Sequence, residues 1–217
     1  MSSTSPRRLK ELLPADVERC LALRPALIIP VGSTEQHGAH LPLGIDTILV
    51  ERLADDLSAR SGVLRAPALE YAANRNPHRP LPGSAPLRRK TLHRLMNELV
   101  EAWELGSGVR EFILITAEGY EAHQEALSTL LIQKARVQVV DIFSLDFGAL
   151  LERPGVPAHG GELDTSLLLH LAPELVRLEA AVDSADACPS LASGEKGARL
   201  YEFILDRIAV RCLNQES

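Results

Sequence analysis

Hydrophobic and polar positions alternate between two regimes along the chain. Short, continuous apolar runs at residues 26–31 (Ala-Leu-Ile-Ile-Pro-Val) and 112–115 (Phe-Ile-Leu-Ile) have the pattern of strands buried on both faces. Residues 137–142 read as a third strand, and 63–69 as a fourth, interrupted by Pro67. Between them, apolar residues recur at helical spacing over 14–23, 47–60, 91–105, 121–135, 162–171 and 195–210. Asp46 stands where the N-cap of the second helix would stand. Residues 73–90 hold Pro77, Pro80, Pro82, Gly83 and Pro86, so they are expected to form a loop. The first ten residues are polar and basic and are expected to be frayed.

Strands alternating with helices of this length imply parallel strands joined by right-handed crossovers. The expected fold is an α/β single-domain layered sandwich over 1–217, with a mostly parallel sheet flanked by helices and no internal repeat or domain linker. In such sheets ligands sit beyond the carboxyl ends of the strands. The segments after Val31, Ile115 and Ile142 are therefore where chemistry is expected.

Composition narrows the class. The chain has 217 residues, 46% hydrophobic and 24% charged, which suits a globular core more than a disordered chain. Aromatics are only 4%, so Leu, Ile, Val and Ala must build that core and few platforms remain for stacking bases. A net charge of −6 argues against nucleic acid or an anionic membrane as the main partner. No apolar run approaches the ~20 residues of a membrane span. Cys20, Cys188 and Cys212 show no paired spacing, and with no signal-like leader a reducing cytoplasm is the expected location.

One segment concentrates candidate chemistry: Gly32-Ser33-Thr34-Glu35-Gln36-His37-Gly38-Ala39-His40-Leu41-Pro42-Leu43-Gly44-Ile45-Asp46. In extended backbone, side chains at i and i+2 point the same way, so Glu35 and His37 can share one ion and Asp46 can complete or bridge it. Histidine with carboxylates suits Zn²⁺ or Mn²⁺. The competing reading makes Asp46 a helix cap and leaves Glu35 and His37 solvated.

This segment, preceded by Pro30-Val31, closely resembles the signature P-[VL]-G-S-x-E-Q-H-G-x-H-L-P-L-x-x-D of the creatininase family. The resemblance implies an α/β fold, hydrolysis of cyclic or linear amides, divalent metal (Zn or Mn, with Fe as a further option) and assembly into homo-oligomers, hexamers in that family. It carries metal-ligand roles to Glu35, His37 and Asp46. The similarity extends more loosely through Pro82-Gly83, the 111–121 region and His159-Gly160-Gly161-Glu162-Leu163-Asp164-Thr165-Ser166, which resembles the family's H-[AG]-G-x-x-E-T-S. That match implies proton transfer by His159, a role suited to an imidazole titrating near neutrality; the competing reading is a histidine bonded to backbone at a helix start. Asp164 stands where the family has Glu.

The chain departs from the family after its central strand. There the family has N-G-H-G-G-N or N-G-H-Y-E-N, whose His is a ligand; here the sequence is Thr116-Ala117-Glu118-Gly119-Tyr120-Glu121-Ala122-His123. Glu118 and Glu121 are the candidate ligands on this side. Three outcomes stay open: Glu118 ligates directly and makes a carboxylate-richer site, His123 swings in, or the second metal site is lost. The last would leave a degenerate member that binds a ligand or partner without hydrolysis. Acids near a helix N-terminus also simply favour its dipole. His40 is expected to bond within its turn, Trp103 to pack, and His78 to border a pocket. No Trp follows residue 140, so creatinine is a poor candidate substrate; a small-molecule amide of another kind is expected.

Overall fold

The computed structural model describes residues 5–74, 81–155, 159–185 and 187–213. Its strands are β1 (Arg7–Arg8), β2 (Ala26–Val31), β3 (Leu64–Arg65), β4 (Glu111–Thr116) and β5 (Arg136–Asp141), and its α-helices are α1 (Pro14–Leu23), α2 (Ile45–Ser61), α3 (Arg89–Ser107), α4 (Glu121–Ser128), α5 (Glu162–Leu171) and α6 (Gly194–Leu213). All strands are parallel, in the order β1-β3-β2-β4-β5. His78, Pro77 and Pro80 lie outside the described residues; residues 81–88 carry no regular structure.

Period-2 alternation in the central strands sorts their side chains into two layers. Ile28, Ile113, Ile115 and Val140 pack against α2, α5 and α6 through Leu53, Leu57, Leu167, Leu200 and Ile204. Leu27, Ile29, Phe112 and Leu114 pack against α1, α3 and α4 through Leu21, Leu92, Met96 and Leu127. A continuous apolar run thus reflects a strand with a helix layer on each face.

Four expectations need correction, each for a physical reason. The N-terminal residues are not frayed from residue 7: Arg7 and Arg8 form an edge strand paired with Leu64 and Arg65. It is held by Arg7 N–H donating to Ser58 Oγ (2.9 Å) and by a two-pronged Arg8–Asp55 pair (3.0 and 2.8 Å). The 63–69 strand shrinks to two ladder residues, and Leu69 returns only as an isolated bridge to Val31. Asp46 is not the cap of α2, since Gly44 occupies that position and Asp46 lies inside the first turn. Finally, α4 stops at Ser128, short of the expected 135. Side chains of α3 take the backbone instead: Asn97 Oδ1 accepts Leu131 N–H (2.6 Å), and the Glu104 carboxylate accepts N–H groups of Gln133 (3.0 Å), Lys134 and Ala135 (2.8 Å).

The turn from β2 into α2 is fixed by close approach. A Cβ on Gly32 would lie 2.4 Å from Thr47 Oγ1 and 2.5 Å from its Cα. Only glycine lets the strand end sit this near the first turn of α2. That contact sets where Asp46 points.

Candidate metal-binding and catalytic site

β2 and β4 are neighbours, but the chain leaves β2 toward β3 on one side and β4 toward β5 on the other. A crevice opens beyond their carboxyl ends at this switch point. The loop after β2 brings Glu35 and His37 to it, the first turn of α2 brings Asp46, the turn after β4 brings Glu118, and the segment entering α5 brings His159 and Asp164.

Asp46 is buried; its Oδ2 accepts a hydrogen bond from Ser33 Oγ at 2.6 Å. Its Oδ1 faces His37 Nε2 at 3.4 Å and has no hydrogen-bond partner. His37 Nδ1 lies 3.1 Å from the Glu35 carbonyl, so the N–H on Nδ1 donates there and Nε2 is aimed at Asp46. Burial opposes a charge on the His37 ring, but Asp46 and Asp164 outweigh it and push its pKa up to about 10. A proton therefore holds this imidazole beside the carboxylate in the metal-free site.

Glu35 accepts a hydrogen bond on Oε2 from the side-chain amide of Asn74, a buried residue. Glu118 is half-buried, and its Oε1 accepts the Tyr120 N–H at 2.9 Å. Burial, then the nearby Glu35 charge, pushes the Glu118 carboxyl up to about 8 despite that bond, with Asp46 adding to the effect. Asp164 is 1% exposed; its Oδ2 accepts Gly160 N–H (2.7 Å) and its Oδ1 has no partner. Burial raises it to about 7, with Asp46 adding and His37 opposing.

The His159 ring stacks on His37, centroids 4.1 Å apart and planes 28° from parallel. It is exposed at the mouth and also bonded to the backbone of Gln36. Desolvation and the His37 charge hold its pKa below the usual histidine value, against Glu35 and Asp46.

Of the sequence candidates, Glu35, His37, Asp46, Glu118 and His159 are brought together, and Asp164 joins them. Glu121 is not: it is exposed at the start of α4, with no hydrogen bond or ion pair among the described residues. His123 does not swing in. It is fully buried, both ring nitrogens are engaged, and burial depresses its pKa to about 4, keeping it neutral. His40 is structural, but its Nε2 reaches Thr165 Oγ1 on α5 (3.0 Å) and not its own turn. Trp103 packs in the layer of α3. Sequence reasoning missed Ser33 and Asn74. Ser33 sits inside the quoted motif, whereas nothing local marks Asn74, which acts on a side chain 39 positions away.

Among the described residues, no group of three or more His, Cys, Asp or Glu side chains stands at the spacing of a closed metal centre. The donor set nevertheless suits a divalent cation. Glu35, Asp46 and Glu118 line the crevice with His37, burial and the Glu35 charge push Glu118 toward its neutral form, and the buried Asp46 Oδ1 has only the His37 ring, 3.4 Å away, opposite it. A bound cation would relieve the repulsion among these carboxylates.

Residues 10–188 match the creatininase (creatinine amidohydrolase) family. The chain belongs to that family. Among its relatives, the mycofactocin precursor peptide peptidase of Mycobacterium ulcerans is 31% identical over 184 residues, 78% of this chain and 70% of that one. The 3-dehydro-scyllo-inosose hydrolase of Thermotoga maritima is 31% identical over 175 residues, 73% of this chain but only 54% of the relative's length. Among solved structures, a creatinine amidohydrolase superposes with TM-score 0.80 at 24% identity, covering 95% of this chain and 96% of that one, which establishes the shared fold. A manganese form of creatininase (TM-score 0.78, 23% identity, 95% and 98% covered) and a zinc–zinc form of a creatininase variant (0.75, 24%, 95% and 97%) share it too. Among the described residues, no helix is long and apolar enough to cross a membrane.

Proposed function

We propose that this family member is a metal-dependent amidohydrolase that cleaves a small cyclic or linear amide C–N bond. The observation that carries the reading is the buried Asp46 Oδ1, which has no hydrogen bond and faces only the His37 ring at 3.4 Å, in a crevice shared with Glu35 and Glu118. Glu35, His37, Asp46 and Glu118 would hold the ion, and Glu121 is left out of the set. Three carboxylates to one imidazole favour Mn²⁺ (or Fe²⁺) over Zn²⁺. A bound ion supplies Lewis acidity toward the amide carbonyl and toward water.

The chain's own groups do the rest. Ser33 fixes one oxygen of Asp46 and Asn74 fixes one oxygen of Glu35, so both carboxylates are oriented before any ligand arrives. His159, exposed and with a depressed pKa, is neutral near pH 7 and positioned to take a proton and return it to a departing amine. The absence of a tryptophan beyond residue 140 disfavours creatinine as substrate and leaves other small amides and short peptide tails. The three free cysteines fit a reducing compartment, and the homo-oligomeric, hexameric assembly of the family belongs to the proposal.

Metal analysis of protein purified without chelator tests it. Bound Mn or Zn that is lost in His37→Ala supports the assignment, and a chain that neither carries metal nor takes up added Mn²⁺ sinks it. One observation favours a second reading, binding without hydrolysis: the family's histidine is replaced and His123 is tied up elsewhere. Metal-loaded protein inert toward a panel of lactams, formamides and peptide amides would select that reading.

A further inference from the structure

His123 is 0% exposed and lies on the first turn of α4, beneath the crevice. The backbone N–H of Ala73 donates to Nδ1 at 3.4 Å. That N–H can only donate, so Nδ1 is the acceptor and the ring proton sits on Nε2. Nε2 then donates to Thr116 Oγ1 at 2.9 Å, and the same oxygen accepts the Glu118 N–H at 3.3 Å. On the other side of the ring, the residue after Ala73 is Asn74, whose side chain holds Glu35. One imidazole thus touches the two segments that carry opposite walls of the site. The first wall runs Ala73–Asn74–Glu35 and the second runs Thr116–Glu118.

We propose that His123 is a positioning residue that fixes the distance between the Glu35 and Glu118 carboxylates, and so the affinity of the site for a divalent cation. The inference rests on the metal reading above. It assigns to His123 a role in ordering ligands without contacting the ion.

The test uses the full chain, stripped with chelator, dialysed and titrated with Mn²⁺ alone. His123→Phe keeps an aromatic ring, somewhat larger than imidazole, and removes both bonds; Thr116→Val removes the shared acceptor at nearly constant shape; Thr116→Ser retains the hydroxyl. Outer hydrogen bonds of this kind change metal affinity by about 10–100-fold. The expected result is weakening of that size in His123→Phe and Thr116→Val and near-wild-type affinity in Thr116→Ser. Mn²⁺ affinity unchanged in a folded His123→Phe overturns the proposal. Should His123→Phe fail to fold, unchanged affinity in Thr116→Val overturns it equally.

Wild-type protein that takes up no Mn²⁺ refutes the metal reading and this account of affinity together. The brace itself is then read from amide exchange in the same samples. Faster exchange at Ala73 and Glu118 in Thr116→Val or His123→Phe, absent from Thr116→Ser, supports the bridge, and unchanged exchange overturns it.

Discussion

Lys196 offers a stringent check on how the segment behind His159 is held. It is 7% exposed, and its Nζ donates to Glu162 Oε1, to Glu152 Oε1 at 3.0 Å and to the Leu191 carbonyl at 2.6 Å. Glu162 also accepts the backbone N–H groups of Glu152 (2.9 Å) and Arg153 (3.2 Å), tying the segment before His159 to the start of α5. Lys196→Met keeps the stem and removes the charge, leaving a buried carboxylate with two N–H donors. Breaking a buried pair costs about 3–5 kcal/mol. The two remaining donors place this case at the low end, near 3 kcal/mol, and the exposed Glu152 arm adds at most about 1 kcal/mol. Urea unfolding followed by circular dichroism at pH 7 should show that loss with an unchanged slope. Adding Glu162→Gln should recover roughly half or more, because the orphaned charge goes with it. Burial works against the Glu162 charge, but the two N–H groups and Lys196 outweigh it and hold its pKa below the usual 4.5. A carboxylate depressed in the folded state contributes stability that is present above the unfolded value and lost as pH falls through the folded one. The difference between wild type and variant must therefore be full at pH 7 and shrink below about pH 4.5. A loss under about 1 kcal/mol at pH 7, or a difference that persists unchanged at pH 3, refutes the reasoning.

Other perturbations follow from the same geometry. Gly197→Ala would place Cβ 1.8 Å from the Ser166 carbonyl oxygen, where α6 crosses α5. Backbone has to move, so a loss of about 3 kcal/mol or more is expected in thermal unfolding, and a variant within about 1 kcal/mol of wild type would show that the helices cross less closely. Asp164, raised to about 7 from an ordinary 3.8, takes up a proton on folding. This group alone should therefore cost metal-free protein up to the order of 4 kcal/mol as pH rises from about 4 to about 7, and Glu118, raised to about 8, and His37, raised to about 10, extend the loss above that. Asp164→Asn should remove this group's part of the slope and be the more stable protein at pH 8; unfolding of both proteins at pH 5 and pH 8 decides it, and an equal pH 5-to-8 loss in the two refutes it.

How far the sequence reveals this molecule depends on whether the deciding contacts are local. α1 and α5 match their expected bounds because proline at the first position of one, and an apolar run entered by glycine in the other, are signals carried within the helix itself. The end of α4 was not legible, since Asn97 and Glu104, some 30 residues earlier, capture the backbone that would have continued it. β1 was hidden for a similar reason: two arginines look solvated until Asp55 and Ser58 are folded against them. In the site, Glu35, His37 and Asp46 could be read together because they lie within twelve residues of one another. On the opposite wall Glu118 could be named from the departure after the central strand, but the supporting roles of Asn74 and His123 could not, because they act on partners 39 and 50 positions away.

The electrostatics then explain why an assembly this acidic stays buried. A buried polar atom without a partner costs about 1–3 kcal/mol, more when charged. In the site Asp164 Oδ1 has none, and Asp46 Oδ1 has no hydrogen bond and only the His37 ring, 3.4 Å away, opposite it. Core carboxylates elsewhere in this fold are not left so: Glu104 collects three N–H donors and Glu162 collects two and a lysine. The contrast is within one chain and one solvent. Where a carboxylate serves only structure, its oxygens are satisfied; where carboxylates face the crevice, they are left open toward His37. A residue set optimised for stability would have filled those positions with apolar side chains or paired them. Open oxygens oriented by Ser33 and Gly160, beside a protonated His37, are the arrangement on which the proposed cation site rests.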